Sequence, residues 1–261
     1  MLHKGCKTSR VKKLDFNDVA EVYDLGRALP QVDGFSEWRL RLVEHFGGLS
    51  GQCLLDLGSG TGLFSAAIAE WFETRVVGVE PSSKMREVAA KTRKRGGIVY
   101  VGGRGEQIPL EDASCAAAWL SHVLHHLTDL ARCAMELRRV VREGQPVVIR
   151  NILPGRTGGI TLFHYFPGAR QVVESSSPSL EAACSAFTKA GFELHSLQSV
   201  RQITAPDMRV FLKRVRVRAD SSLAPLDDDQ FAKGLRALIH DAKSDAGTAP
   251  IVDSMDMLVF H

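Results

Sequence analysis

Short apolar runs alternate with longer amphipathic stretches through the middle of the chain. A short continuous apolar run is typical of a strand that is buried on both faces. Apolar positions spaced three and four residues apart are typical of a helix with one buried face. The alternation therefore predicts a mostly parallel sheet covered by helices. The predicted strands are 53–57, 75–79, 98–101, 115–120, 146–150, 192–200 and 255–260, and the predicted helices between them are 63–72, 82–95 and 128–142.

Two further segments flank this alternating core. Helices are predicted from Asp15 to Leu29, ending before Pro30, and from Ser36 to Phe46, ending at Gly47-Gly48. Before the last strand, residues 206–218 predict a helix or a helix followed by a strand, and residues 227–243 predict a second helix. The expected organisation is an N-terminal tail and lid helices (1–50), a sheet core (51–200), a helical cap (201–254) and the last core strand (255–261), with residues 1–12 as a loose tail.

The first strand ends in a glycine-rich turn that precedes a helix. Asp56 is followed by Gly58, Gly60 and Gly62. Glycine tolerates positive φ and lets a ligand approach the backbone, while the free N–H groups of the helix start face that ligand. A dinucleotide site would require the spacing G-x-G-x-x-G. Its third glycine would stand at position 63, where this chain has Leu63, and Asp56 would repel a pyrophosphate. A carboxylate suits a ligand that carries a positive charge.

A second acid, Glu80, stands at the tip of the second predicted strand. An acid in this position can accept hydrogen bonds from both hydroxyls of a ribose. Taken alone, Glu80 could equally be a helix-start acid before Pro81, because proline suits the first helical turn.

Together, these motifs resemble those of the class I S-adenosylmethionine (SAM) methyltransferases. The resemblance implies a Rossmann-like sheet of seven strands, mostly parallel with the last strand antiparallel, with N-terminal lid helices and a helical insertion before the last strand. It also implies SAM as cofactor and S-adenosylhomocysteine as product. The cofactor-binding residues implied here are Asp56, Gly58, Ser59, Gly60, Thr61, Gly62, Glu80 and Pro81.

The segment after the third strand departs from the family pattern. Gly103-Arg104-Gly105-Glu106 resembles a family motif in which an Asp, here replaced by Arg104, accepts a hydrogen bond from the adenine amino group. Adenine recognition would then depend on the backbone of Gly105 or on Glu106. Met85 is expected either to pack on the adenine or to be an ordinary core methionine.

The fourth strand runs into Leu120-Ser121-His122, then His125-His126-Leu127-Thr128-Asp129, which resembles a stretch of ubiquinone/menaquinone-type (methyltransferase type 11) enzymes. The resemblance places Leu120 and Ser121 beside the reacting methyl group. His126, and after it His125, are candidate general bases, with Tyr23 as a lid residue near the reaction. Each histidine could instead be a hydrogen-bonded core residue. A metal site is not predicted, because no carboxylate or cysteine completes the set at helical spacing.

Composition narrows the class of protein further. The net charge of +3 and the pI near 8.6 give no evidence for nucleic-acid binding, and the Asn/Asp-Pro-Pro-Tyr motif of many nucleic-acid methylases is absent. The five cysteines are scattered and odd in number, which favours reduced thiols and a cytoplasmic location. No apolar run is long enough to span a membrane, and no signal peptide is predicted. The basic residues of 206–218 predict a solvated face, or a contact with an acidic acceptor.

We therefore expect transfer of a methyl group from SAM to an O, N or C nucleophile of a small molecule, in a role that suits secondary metabolism. Two alternatives stay open: a methyltransferase that modifies protein or RNA, and a SAM-binding fold that transfers no methyl group. The aromatic-rich residues 162–167 are a candidate wall for the acceptor. The sequence specifies neither the acceptor, nor the atom that is methylated, nor the oligomeric state.

Overall fold

The computed structural model describes residues 14–28, 34–244 and 248–261. Seven strands form one sheet in the order β3-β2-β1-β4-β5-β7-β6. The first five strands are parallel, and β7 runs antiparallel to both of its neighbours, β5 and β6. This confirms the predicted fold class. The strands are β1 Cys53–Leu57, β2 Arg75–Val79, β3 Ile98–Val101, β4 Ala117–Ser121, β5 Val147–Asn151, β6 Leu194–Ala205 and β7 Ile251–Phe260.

Helices cover both faces of this sheet, and none of those described is long and apolar enough to cross a membrane. The α-helices are α1 Phe16–Val19, α2 Ser36–Phe46, α3 Leu63–Phe72, α4 Ser83–Thr92, α5 Leu130–Val140, α6 Thr161–Tyr165, α7 Pro167–Ser176, α8 Leu180–Lys189, α9 Met208–Arg216 and α10 Asp228–Asp241. A short 3₁₀ turn, Tyr23–Gly26, follows α1, and another, Leu124–His126, follows β4.

The buried apolar residues form one cluster on each face of the sheet. On one face, the fully buried rings of Trp38 and Trp119 meet edge to face with centroids 5.9 Å apart, an arrangement that aromatic pairs prefer. Every residue of β5 is buried. The continuous apolar runs of the sequence thus reflect strands that are covered on both sides.

The N-terminal segment differs from its prediction. In place of one helix from Asp15 to Leu29, there is a single turn of α1 and then the 3₁₀ turn Tyr23–Gly26. Tertiary bonds explain the break, because Thr61 Oγ1 donates to Asp24 Oδ1 at 2.5 Å and the Arg27 guanidinium pairs with Asp220 at 3.0 Å. Residues 29–33, as well as the predicted tail at 1–12, lie outside the described part of the chain.

The last two strands are longer than predicted. Hydropathy alone marks only 255–260, because Asp253 interrupts the apolar pattern in the first half of β7; a second acid, Asp256, lies within the predicted part. Both carboxylates are buried and hydrogen-bonded, since Asp253 Oδ1 accepts from Thr161 N at 2.8 Å and Asp256 Oδ1 accepts from Arg156 Nε at 2.8 Å. Buried polar groups that are paired in this way are compatible with a core strand.

The glycine turn between β1 and α3 has the backbone conformation that its sequence predicts. Gly58, Gly60 and Gly62 have φ angles of 73°, 54° and 77°, all in the left-handed region. A Cβ atom added to Gly58 would lie 2.4 Å from Val123 Cγ2, whereas one added to Gly60 would meet nothing within 4 Å. Gly58 is therefore constrained by both conformation and space, and Gly60 by conformation alone.

We expect Gly58→Ala to lower the free energy of unfolding more than Gly60→Ala does. The left-handed conformation costs both variants about 1–2 kcal/mol, and the clash with Val123 adds about 1–3 kcal/mol to the first only. Urea denaturation of the ligand-free protein measures the difference. Repeating both substitutions in a Val123→Ala background should make their costs similar. Equal losses in the parent background would contradict the steric account.

Candidate cofactor and acceptor site

Two adjoining cavities lie at the carboxyl ends of the parallel strands, around the point where the strand order reverses between β1 and β4. The larger has a volume of about 660 Å³ and the smaller about 130 Å³. The residues that line both cavities form their common wall. These residues are Phe16, Tyr23, Gly58, Gly60, Ser121, His122 and His126.

In the smaller cavity, Glu80 fixes the position of the glycine turn. The Glu80 side chain is buried, with Oε2 accepting from Gly60 N at 3.1 Å and Oε1 accepting from Ser82 N at 2.8 Å. Burial raises the pKa of the Glu80 carboxyl, against the effect of these two bonds. Pro81 and the buried Met85 line the same cavity. The carboxylate thus ties the glycine turn to the start of α4 and borders a space open to a ligand.

The segment after β3 closes the other side of the smaller cavity. Arg104 is exposed, and Gly105 is buried so tightly that an added Cβ would lie 2.6 Å from Leu127 Cδ2. Glu106 Oε1 accepts from Thr128 N at 2.7 Å and from Thr128 Oγ1 at 2.8 Å. Burial alone would raise the pKa of Glu106, but these bonds outweigh it and lower that pKa. Glu106 therefore anchors the start of α5, and the tight packing of Gly105 fixes the backbone beside the cavity.

Asp56 lies beneath the larger cavity at the end of β1. Its side chain is buried, and Oδ2 accepts from Ser65 Oγ at 2.5 Å. Burial raises the pKa of Asp56 to about 7, and the nearby Glu80 raises it further while Ser65 opposes the shift. In the glycine turn, Ser59 Oγ is buried without a hydrogen-bond partner. A ligand with both a positive charge and hydroxyl groups would satisfy these groups.

The three histidines after β4 do not share one α-helical face. His122 has a φ of 55°, and His125 and His126 lie in the 3₁₀ turn. His125 Nε2 lies 3.1 Å from Ser221 Oγ, and burial lowers the pKa of His125 to about 4. Within the described ranges, no group of three His, Cys, Asp or Glu side chains is arranged to hold a metal ion.

His126 is exposed and stands in the common wall of the two cavities. Its ring lies edge-on to Phe16, with centroids 5.0 Å apart. Tyr23, also in the common wall, has the Arg27 guanidinium 4.6 Å above its ring. The N-terminal segment thus brings aromatic side chains to the junction of the cavities.

The insertion between β6 and β7 supplies residues that the sequence did not single out. Asp220 and Ser221 lie in a turn after α9 and contact Arg27 and His125. Such a turn has no periodic pattern, and the partners are distant along the chain, so no sequence signal links them.

The basic residues of 206–218 have different surroundings. Arg209, Lys213 and Arg216 are exposed, as the solvated-face prediction requires. Arg214 instead lines the larger cavity, and Arg218 Nη1 pairs with Asp228.

The acceptor wall predicted at 162–167 is only partly on the cavity. Leu162 and Phe163 line it, but the Tyr165 hydroxyl donates to Asp241 at 2.7 Å instead. Apolar side chains from α7, α9 and the insertion complete this wall. They include Val173, Phe211, Val215 and Leu223.

Comparison with known proteins identifies the family. Residues 55–149 match the family described as methyltransferase domain. The chain is 30% identical over 158 residues to a demethylmenaquinone methyltransferase from Thermotoga maritima, covering 60% of this chain and 68% of that protein. Alignments with other curated quinone methyltransferases cover about half of the length of those relatives.

Solved structures share the fold. A protein assigned as a methyltransferase from an antibiotic biosynthesis pathway of Anabaena variabilis gives a TM-score of 0.71 at 21% identity, covering 90% of this chain and 100% of that one. Geranyl diphosphate C-methyltransferase from Streptomyces coelicolor, solved with S-adenosylhomocysteine, gives 0.55 at 17% identity, covering 86% and 78%. The chain therefore belongs to the class I SAM-dependent methyltransferases of the ubiquinone/menaquinone type, and SAM is its cofactor.

Proposed function

We propose that this enzyme transfers the methyl group of SAM to an O, N or C nucleophile of a small molecule bound in the larger cavity. The observation that carries the proposal is the common wall of the two cavities. A cofactor held in the smaller cavity and along the glycine turn would reach this wall, and an acceptor in the larger cavity would meet it there. The acceptor atom and the methyl group would thus be brought into line.

The cofactor roles follow from the positions of the buried acids. Glu80 accepts hydrogen bonds from ribose hydroxyls, in place of or beside its present bonds to backbone N–H groups. Asp56 compensates the positive charge of the methionine part. Met85 packs against the adenine, which the backbone of Gly105 recognises. The turn residues Gly58 to Gly62 and the end of β4, Leu120 and Ser121, enclose the rest.

The methyl group of SAM is already activated by its sulfonium, so the protein contributes mainly alignment and the exclusion of water. Where the acceptor must lose a proton, His126 is the proposed base, because it faces both cavities and can pass the proton to solvent. His125 is less suited to this role, since its Nε2 is bound to Ser221 and a pKa of about 4 makes it a weak base. Tyr23 positions the acceptor at the junction.

A small acceptor is favoured over a macromolecule, because the N-terminal segment and the insertion both contribute walls to the larger cavity. The names of the relatives specify demethylmenaquinone and geranyl diphosphate, which are small molecules that each have a large apolar part. The antibiotic-pathway assignment of one structural neighbour supports a role in secondary metabolism.

A labelled methyl-transfer assay tests the proposal. The protein is incubated with methyl-labelled SAM and either a panel of phenols, quinols, amines and carboxylic acids, or bulk RNA and protein. We expect label in one class of small molecule, with formation of S-adenosylhomocysteine. Label in RNA or protein alone would show a macromolecular acceptor. Tight SAM binding without transfer to any acceptor would favour a non-transferring fold.

We expect Glu80→Gln to weaken SAM binding by about 10–100-fold, the size of a charge-assisted hydrogen bond. Glutamine keeps one acceptor oxygen, which is enough for the Gly60 N–H that positions the glycine turn but not for the Ser82 N–H as well. Calorimetric titration measures the affinity. Glu87→Gln is the matched control, since Glu87 pairs with Lys84 on the exposed face of α4. Unchanged affinity in Glu80→Gln would remove the ribose assignment.

SAM affinity should also depend on pH through Asp56. The pKa of Asp56 is about 7 in the free protein, and a bound positive charge would lower it, so binding must expel a proton below that pH. Affinity should therefore rise from pH 5 to pH 7, by up to about tenfold per pH unit, and then level off. In Asp56→Asn, this rise should disappear. A rise of the same size in that variant would assign the proton to another group.

A further inference from the structure

Arg150 is a buried cation that faces the larger cavity. It lies in β5 and is only 5% exposed. Its partners are neutral, because Nη1 donates to Ser121 Oγ at 2.9 Å and Nη2 donates to Gln202 Oε1 at 2.7 Å. Its Nε is buried with no hydrogen-bond partner, and no ion pair to Arg150 is found in the described ranges.

The surroundings hold the charge without neutralising it. Burial lowers the pKa of Arg150 to about 9, so the guanidinium remains protonated at neutral pH. Its central carbon lies 5.2 Å from the Phe64 ring centre and 5.3 Å from that of Trp38, which stabilises a cation without supplying an anion.

The carboxylates that line the same cavity have other partners. Asp220 pairs with Arg27 at 3.0 Å, and Asp253 attracts Arg150 but accepts from Thr161 N at 2.8 Å and from Thr204 Oγ1 at 2.7 Å. Asp56 accepts from Ser65 and is assigned to the cofactor. A buried charge that no carboxylate contacts directly is costly, and such groups concentrate at binding sites.

Bound SAM leaves the cavity with excess positive charge. SAM carries a sulfonium and an ammonium but only one carboxylate, so its net charge is positive. An acceptor with a negative charge would offset this charge and that of Arg150 in the same space.

We propose that Arg150 binds a carboxylate of the methyl acceptor, which is then an acid with an apolar body. This inference rests on the proposed function and names the acceptor class for that site. A single guanidinium matches one negative charge, and its planar edge suits the two oxygens of a carboxylate. Apolar side chains that line the same cavity, among them Phe163, Phe211 and Val215, suit the apolar body.

Binding of matched probes to the protein saturated with S-adenosylhomocysteine tests this assignment. Benzoate, 2-naphthoate and decanoate are each titrated beside the corresponding neutral amide. We expect at least one carboxylate to bind about 10–100-fold more tightly than its amide. Arg150→Gln, which can still bond to Ser121 and Gln202, should abolish the preference, and Arg150→Lys should retain part of it. Arg156→Gln is the control, because Arg156 pairs with Asp256 and does not line the cavity.

Four results would overturn the assignment. Three are the absence of any carboxylate preference in the wild type, a preference that survives in Arg150→Gln, and tighter binding of 2-naphthyl phosphate than of 2-naphthoate. The fourth is weaker binding of S-adenosylhomocysteine by Arg150→Gln, which would assign Arg150 to the cofactor instead. If the wild type does not bind S-adenosylhomocysteine, the proposed function fails, and the same titrations on the free protein still decide whether Arg150 is an anion site.

Discussion

The hydrogen bond from Gly60 N to the Glu80 carboxylate, 3.1 Å long, is the contact on which the geometry of the site depends. It joins the turn after β1 to the tip of β2, and the same carboxylate accepts from Ser82 N at the start of α4. The turn can follow this path because Gly58, Gly60 and Gly62 adopt positive φ angles. One buried acid thus sets the position of the backbone that the cofactor must approach.

Three buried ionisable groups lie at the carboxyl ends of parallel strands. Asp56, Glu80 and Arg150 lie near the ends of β1, β2 and β5, and all three are nearly inaccessible to solvent. Each lowers the stability of the ligand-free protein, because burial disfavours the charged form. In the proposed complex, the two acids face a cofactor with positive charge and Arg150 faces an anionic acceptor. Ligand binding would then offset the free energy by which these buried charges destabilise the folded protein.

The sequence predicts most reliably where local signals agree with tertiary packing. From β1 to α3, an apolar run, three glycines and a helical pattern indicate the same structure, and the observed bounds of both elements match. The N-terminal segment was predicted wrongly, because Asp24 and Arg27 bond to distant residues, and this outweighs the helical pattern. Arg150 stands in an apolar run, where hydropathy cannot show that its guanidinium lacks a counter-ion. Asp220 and Ser221 lie in a turn that only the tertiary fold brings to the site, so their sequence gives no signal of this position.

Calorimetric titration of the wild-type protein with SAM, with S-adenosylhomocysteine and NADH in parallel, decides which cofactor the glycine turn binds. We expect micromolar binding of the first two ligands, about −8 kcal/mol, and no binding of NADH. Binding of NADH in their place would contradict the assignment of the glycine turn and of the two acids, Asp56 and Glu80, to SAM.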